Sequence, residues 1–180
     1  MKKIKELGTI TLSGKVVVSD PCYDRDVWCM ITDLAVKPGQ YRAWVILSDE
    51  KNWGERVAAL IVVHEDSLHE KIRLWQPVEG TLGVDSGQCG IFDDSVYPCD
   101  GDHPDGQSLY RECCKTTLAD EQAGPVQDSQ GVVSSSGYGD GSYLLSAFMH
   151  KGERVALMID YDLANMKTII QKLAERCAQK

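Results

Sequence analysis

The sequence predicts an α+β, β-rich fold: an antiparallel two-sheet β-sandwich with one short internal helix and a C-terminal amphipathic helix. Three observations predict it. Two stretches, Tyr41–Val63 and Tyr143–Asp160, each read as strand, polar turn, strand. Short apolar runs elsewhere are cut by glycine- and proline-marked turns. Residues 163–179 carry apolar side chains at helical spacing. A length of 180 residues suits one domain, so a single β-rich unit over 1–180 is expected, with helix 163–179 packed on a sheet.

The elements follow in order. In the opening segment Ile10 and Leu12 alternate with Thr9 and Thr11, Gly14 supplies a turn, and Val16-Val17-Val18 is β-branched. Asp20-Pro21 ends that second strand, because proline donates nothing to a ladder. Pro38-Gly39 marks a turn before a strand over Tyr41–Leu47 that is apolar on both faces, hence covered on both sides. A polar turn around Asp49–Trp53 leads into the strand of GERVAALIVVHED, completing a hairpin. Shorter strands are expected near Arg73–Trp75, Glu79–Val84 and Gln88–Phe92. Asp100–Gly106 reads as a solvated loop, since Pro104 occupies a position where a calcium loop needs an oxygen ligand. Gly106–Leu118 is a candidate helix, the stretch around Gly124-Pro125 a loop, and Gly131-Val132-Val133 a strand. The second hairpin turns at His150–Gly152. In the tail, Asp162 is placed to cap a helix whose stripe is Leu163, Met166, Ile169, Ile170, Leu173, Ala174 and Cys177.

Gly-Glu-Arg-Val-Ala occurs twice, at 54–58 and 152–156, each time after a strand. This reads as a duplicated hairpin, with Arg56 and Arg154 each reaching a nearby carboxylate.

Composition narrows the function. Twenty-seven acidic against nineteen basic residues give a net charge of -8, a poor match to a polyphosphate backbone. No apolar run approaches the roughly 20 residues of a membrane helix, and the first residues lack the apolar middle of a signal peptide. Seven cysteines (Cys22, Cys29, Cys89, Cys99, Cys113, Cys114 and Cys177) therefore read as reduced thiols in a cytoplasm. A zinc site from Cys99 and His103 with Cys89 and Cys113 or Cys114 is the sharper alternative. The absence of any C-x2-C pair argues against it, and buried cysteines acting as small hydrophobes are the simpler reading.

Three turns combine glycine or proline with polar side chains: Ser19–Asp24, Gly83–Gly90 and Ser136–Ser142. Asp20, Asp85 and Asp140 are their acids. Converging, they would hold a divalent cation through oxygen ligands or serve in acid–base chemistry; apart, each would brace its own turn. The ligand-binding candidates are Asp20, Cys22, Asp85, Ser86, Asp93, Ser136, Asp140 and Ser142. No nucleophile elbow, P-loop or dinucleotide fingerprint is present.

At these same segments the chain resembles the bacterial and phage proteins grouped as domain of unknown function 4241. The likeness rests on Asp20-Pro21, Val36-x-Pro38-Gly39-x-Tyr41, Arg56-Val57-Ala58, Gly83-Val84-Asp85-Ser86-Gly87 with Asp93 after it, Ser136–Tyr143, and Asp160. It implies a compact β-rich domain of bacterial or phage origin and carries no activity. The expectation is an acidic cytoplasmic binding module without catalysis or cofactor, taking a protein partner or small polar ligand on the Gly/Asp-rich loops, with no nucleic acid and no membrane. A small metal-assisted hydrolase using the aspartates, with a divalent cation, and a structural component are the alternatives.

Overall fold

The computed structural model describes residues 2–27, 29–70, 74–98 and 109–163. In chain order its strands are β1 (Lys2–Leu12), β2 (Lys15–Ser19), β3 (Ile31–Ala35), β4 (Gly39–Asp49), β5 (Glu55–His64), β6 (Gln76–Pro77), β7 (Leu82–Val84), β8 (Gln88–Asp93), β9 (Ala123–Val126), β10 (Gly131–Ser135), β11 (Gly141–His150) and β12 (Glu153–Asp160). Among the described residues one α-helix, α1 (Leu109–Thr117), precedes β9. A seven-stranded sheet runs β1-β4-β5-β12-β11-β6, with β7 pairing the start of β11; a five-stranded sheet runs β3-β2-β8-β10-β9. Every strand pairing among the described residues is antiparallel.

The two sheets share one core, because side chains alternate across a strand and the inward rows of both are apolar. Val45, Leu60, Ile159 and Leu145 form one inward row of the larger sheet, matched by Val16, Val18, Ile91 and Val132 from the smaller. Gly14 carries the chain from one sheet to the other, at φ +124°. The far side of the smaller sheet is apolar too: Val17, Phe92, Val126 and Val133 are sealed by Leu109 and Cys113 of α1. Phe92 lies across two glycines there. A Cβ on Gly90 would strike its ring and come within 2.7 Å of the Val132 carbonyl oxygen.

Both long hairpins form as expected, and their repeated segments occupy β5 and β12, which pair at the centre of the larger sheet. Lys151 and Gly152 both take positive φ (50° and 85°), the geometry a two-residue hairpin turn demands. Each hairpin carries a register shift beside its repeat, between Ile46 and Leu47 and between Phe148 and Met149. The repeat arginines depart from expectation. Arg56 Nε donates to the Trp53 carbonyl at 3.0 Å and Arg154 to the Ala35 carbonyl at 3.1 Å, so both staple backbone.

The departures from the expected strands fall at sheet edges. β1 starts at Lys2, well before the alternating Thr9–Leu12 run, because β4 offers a partner along its whole length. β3 was not expected; its Asp33 sits at φ +52° beside a register shift, which hides a five-residue strand from any alternation pattern. Gly124-Pro125 lies in β9, not in a loop, at the sheet edge where proline's missing N–H is tolerated. Of the strand expected at Arg73–Trp75, Arg73 is outside the described residues and pairing begins at Gln76. The Asp100–Gly106 loop and the helix expected after Leu163 also lie outside the described residues.

Candidate functional site

The three polar turns meet at one end of the sheets, and the meeting is built around Asp20. This residue follows the end of β2 and is fully buried. Its Oδ1 accepts from the Cys22 amide (2.9 Å) and from the Ser86 hydroxyl (2.6 Å). Its Oδ2 accepts from the Asp85 and Ser86 amides (2.8 and 2.7 Å). A carboxylate has about four acceptor positions, and all four are filled. The third turn joins through the second: the Ser136 amide donates to the Gly87 carbonyl at 3.0 Å. Ser136 Oγ then closes its own turn on the Gly139 carbonyl at 2.8 Å.

Tyrosine hydroxyls finish the bracing. Tyr97 donates to the Tyr23 carbonyl at 2.8 Å, and Tyr143 to the Gly139 carbonyl at 2.7 Å. Tyr161, buried between the sheets, bonds Ser134 at 2.9 Å and packs edge-on to Tyr143 at 5.1 Å. Burial drives the Tyr161 phenol far above its ordinary range, so it stays a neutral donor.

The turns converge, but their carboxylates do not share a hollow. Asp20 is internal; Asp85 is exposed and accepts from the Tyr23 hydroxyl; Asp140 is exposed on the third turn. Among the described residues no three His, Cys, Asp or Glu side chains stand together as a metal-binding group. Cys22 lies at the surface beside Asp20. Partial burial, then the adjacent carboxylate, push its thiol up to about 12, so at neutral pH it is not the thiolate that nucleophilic catalysis needs. Cys89 and Cys113 are buried and their thiols are raised, chiefly by that burial. Cys29 and Cys114 are also free, and Cys99, His103 and Cys177 lie outside the described residues. Ser142 is exposed and pairs with Gly83 where β7 meets β11.

Asp93 belongs elsewhere. It closes the opposite end of β8, where it accepts from the Ser13 amide and hydroxyl (2.5 and 3.1 Å) and the Ser95 amide and hydroxyl (3.0 and 2.5 Å). Burial raises its pKa, but these donors outweigh burial and leave it below the ordinary carboxylate value. A depressed folded-state pKa adds stability that is present above the unfolded value, near 3.9, and is lost as pH falls through the folded value. Asp93→Asn is therefore expected to lower the melting temperature at pH 7 and to flatten the decline below about pH 4. Thermal melts across pH check this; an unchanged acid limb would show that the acid sensitivity comes from other groups.

Sequence reasoning passed over the aromatic part of this end. Trp53, in the turn between β4 and β5, is 67% exposed, and Tyr138, on the third turn, is 55% exposed. Their rings meet edge to face at 6.1 Å. Tyr138 donates to Glu50 at 2.8 Å, and Glu50 also accepts from Ser48 at 2.6 Å. The signal was available in Gly137-Tyr138-Gly139, where an aromatic residue stands at the tip of a turn between two glycines. A separate hollow of about 490 Å³ opens between the edge strands β3 and β6, lined by Ile31, Leu34, Val78, Ala147, Met149 and Arg154 among others; none of the three turns contributes to it.

No protein-family model matches this chain, and neither a curated protein nor a solved structure does. No helix among the described residues is long and apolar enough to cross a membrane.

Proposed function

We propose that this chain is a non-catalytic binding module, its two sheets forming a sandwich, that takes a protein partner or small polar ligand on the end where the three turns meet. The carrying observation is the use of Asp20. Three of its acceptor positions hold the second turn and the fourth the Cys22 amide of its own, which organises a rigid platform whose outward groups are Asp85, Tyr138 and Asp140, with Trp53 beside them. A pre-ordered surface with exposed aromatics lowers the entropic cost of association, and tryptophan and tyrosine are the side chains that most often anchor interfaces. The outward carboxylates favour a cationic or polar ligand over a polyanion. The residues that carry the likeness to domain of unknown function 4241 include those that build this end, and we keep that membership, a bacterial or phage origin and a cytoplasmic location as part of the same proposal.

The test is amide NMR on the intact protein against a panel of small cationic and neutral polar fragments, with p-nitrophenyl esters and phosphates as turnover probes. Shifts clustering at Asp85, Tyr138 and Asp140, lost in Tyr138→Ala/Asp140→Asn while the melting temperature holds, are the expected result. Turnover that Asp85→Asn abolishes would replace the binding reading with the hydrolase.

A further inference from the structure

The edges of the two sheets meet differently on the two sides of the molecule. On one side the outer strands are β1 and β9. There Lys5 of β1 pairs with Glu121, just ahead of β9, and the Thr11 amide donates to the Ser129 carbonyl at 2.8 Å. On the other side the outer strands are β3 and β6, and the hollow of about 490 Å³ lies between them, a size that suits a small organic ligand. Its floor is the margin of the shared core. Ile31, Leu34 and Ala147 are buried members of that core, Val78 packs against it, and Met149 is half-buried next to them. Ile31 and Ala35 mark the two ends of β3. At the first, a Cβ on Gly80 would press on Ile31 at 3.2 Å; at the second, Arg154 bonds the Ala35 carbonyl.

A displaced bulge aims Arg154 into this hollow. Residues paired across neighbouring strands share a face of the sheet. In the first copy of the repeat Ile46 pairs with Ala59 and Leu47 with Val57, so Ala58 is the unpaired residue and Arg56 pairs with Ser48, on the outer face with Ile46. In the second copy Phe148 pairs with Ala156 and Met149 with Arg154, so the unpaired residue is Val155. Val155 is the counterpart of Val57, not of Ala58. The bulge has moved by one residue, and a slip of one residue turns a side chain to the opposite face. Arg154 therefore joins Met149 and Ala147 on the inner face, where all three line the hollow. It is fixed at both ends: its carbonyl accepts from the Lys37 amide at 2.9 Å, and Nη1 donates to Ala35 at 3.1 Å. The rest of its N–H donors have no partner, and no carboxylate pairs with it, among the described residues. The rim acids limit what can neutralise it. Asp33 is taken by Lys15 at 3.1 Å. Glu79 lines the hollow, forms no ion pair among the described residues, and so opposes a second negative charge there.

We propose that this hollow binds a small monocarboxylic acid with an apolar body, the carboxylate held by the Arg154 guanidinium and the body laid over Ile31, Leu34, Val78 and Met149. A guanidinium fork matches a carboxylate in geometry as well as charge. The inference is independent of the binding proposal, because none of the three turns reaches this hollow. The test is a methyl NMR titration of the full chain with hexanoate, with hexanamide and hexyl phosphate as comparisons. Hexanoate is expected to give saturable shifts at the methyls of Ile31, Leu34, Val78 and Met149. Hexanamide binds at least about tenfold more weakly, the loss of a charge-assisted bond, and hexyl phosphate also binds more weakly than hexanoate. Arg154→Gln brings hexanoate down to the level of hexanamide and leaves hexanamide unchanged, whereas Arg56→Gln, on the outer face, alters neither. Equal affinity for acid and amide, no saturation at millimolar hexanoate, or shifts centred on Tyr138 and Asp140 overturn the inference, as does tighter binding of hexyl phosphate. Should Arg154→Gln fail to fold, the contrast between acid and amide on the unaltered chain decides.

Discussion

Asp20→Asn is expected to destabilise the protein by roughly 2–4 kcal/mol, with the melting temperature falling by about 5–15 °C. The carboxylate is buried and receives four donors. An amide of the same shape retains one acceptor oxygen. Its NH2 faces donors in either orientation: the Asp85 and Ser86 amides, or the Cys22 amide and the Ser86 hydroxyl. Donor meets donor, and buried N–H groups are left without partners, which costs more than the loss of one average hydrogen bond. Ser86→Ala removes one of the four and spares the rest, so about 1 kcal/mol is expected. Chemical denaturation of the two variants separates the contributions. If Asp20→Asn melted with the unaltered protein, the turns would have to be held by something other than this carboxylate. The same experiment bears on the binding proposal, because loosening the second turn displaces the outward Asp85 while leaving every outward side chain chemically unaltered.

Tyr161→Ala is expected to cost about 3–5 kcal/mol, the range for deleting a large buried ring. The residue is 2% exposed, sits directly after β12 and joins the sheets: its amide bonds the Ala58 carbonyl at 3.0 Å, its hydroxyl bonds Ser134, and its ring abuts Tyr143. Removing the ring opens a cavity in a region whose backbone is already paired and cannot collapse. Tyr161→Phe keeps the ring and removes the hydroxyl's bonds to Ser134 (2.9 Å) and to the Cys89 carbonyl (3.4 Å), for which about 1 kcal/mol is expected. The contrast between the two substitutions, read from denaturant midpoints, distinguishes packing from hydrogen bonding. Equal losses would move the main role from the ring to the hydroxyl.

What could be read directly from the chain was whatever local periodicity encodes. The two hairpins repeat apolar residues at the period of a strand over many positions. Lys151-Gly152 is a sufficient turn by itself. Leu109–Thr117 has the spacing of a short amphipathic helix. The three polar turns were recognisable as a set because glycine, proline and aspartate mark tight backbone wherever they cluster.

The edge strands β3 and β9 were not legible. Ile31–Ala35 is too short for alternation to show and contains a left-handed aspartate; Gly124-Pro125 is loop-like in isolation. Both become strands only because a neighbouring strand, β2 or β10, offers unpaired backbone, a property of the sheet and not of the segment.

The role of the aspartates divides in the same way. Composition and spacing placed Asp20, Asp85 and Asp140 on turns of one type but were equally compatible with three outward acids. Long-range packing decided that one of them is internal. Ser86 is 66 residues from Asp20 in the chain, and a hydrogen bond over that separation depends on how β2 and β8 lie together in the smaller sheet, about which local sequence carries no information. Thus the hairpin strands, the glycine-marked turns and helix α1 follow from the chain's own patterning, whereas the edge strands, and the conversion of a candidate ligand residue into a structural brace, arise only when folding supplies a neighbouring strand or removes that carboxylate from water and leaves backbone amides as its partners.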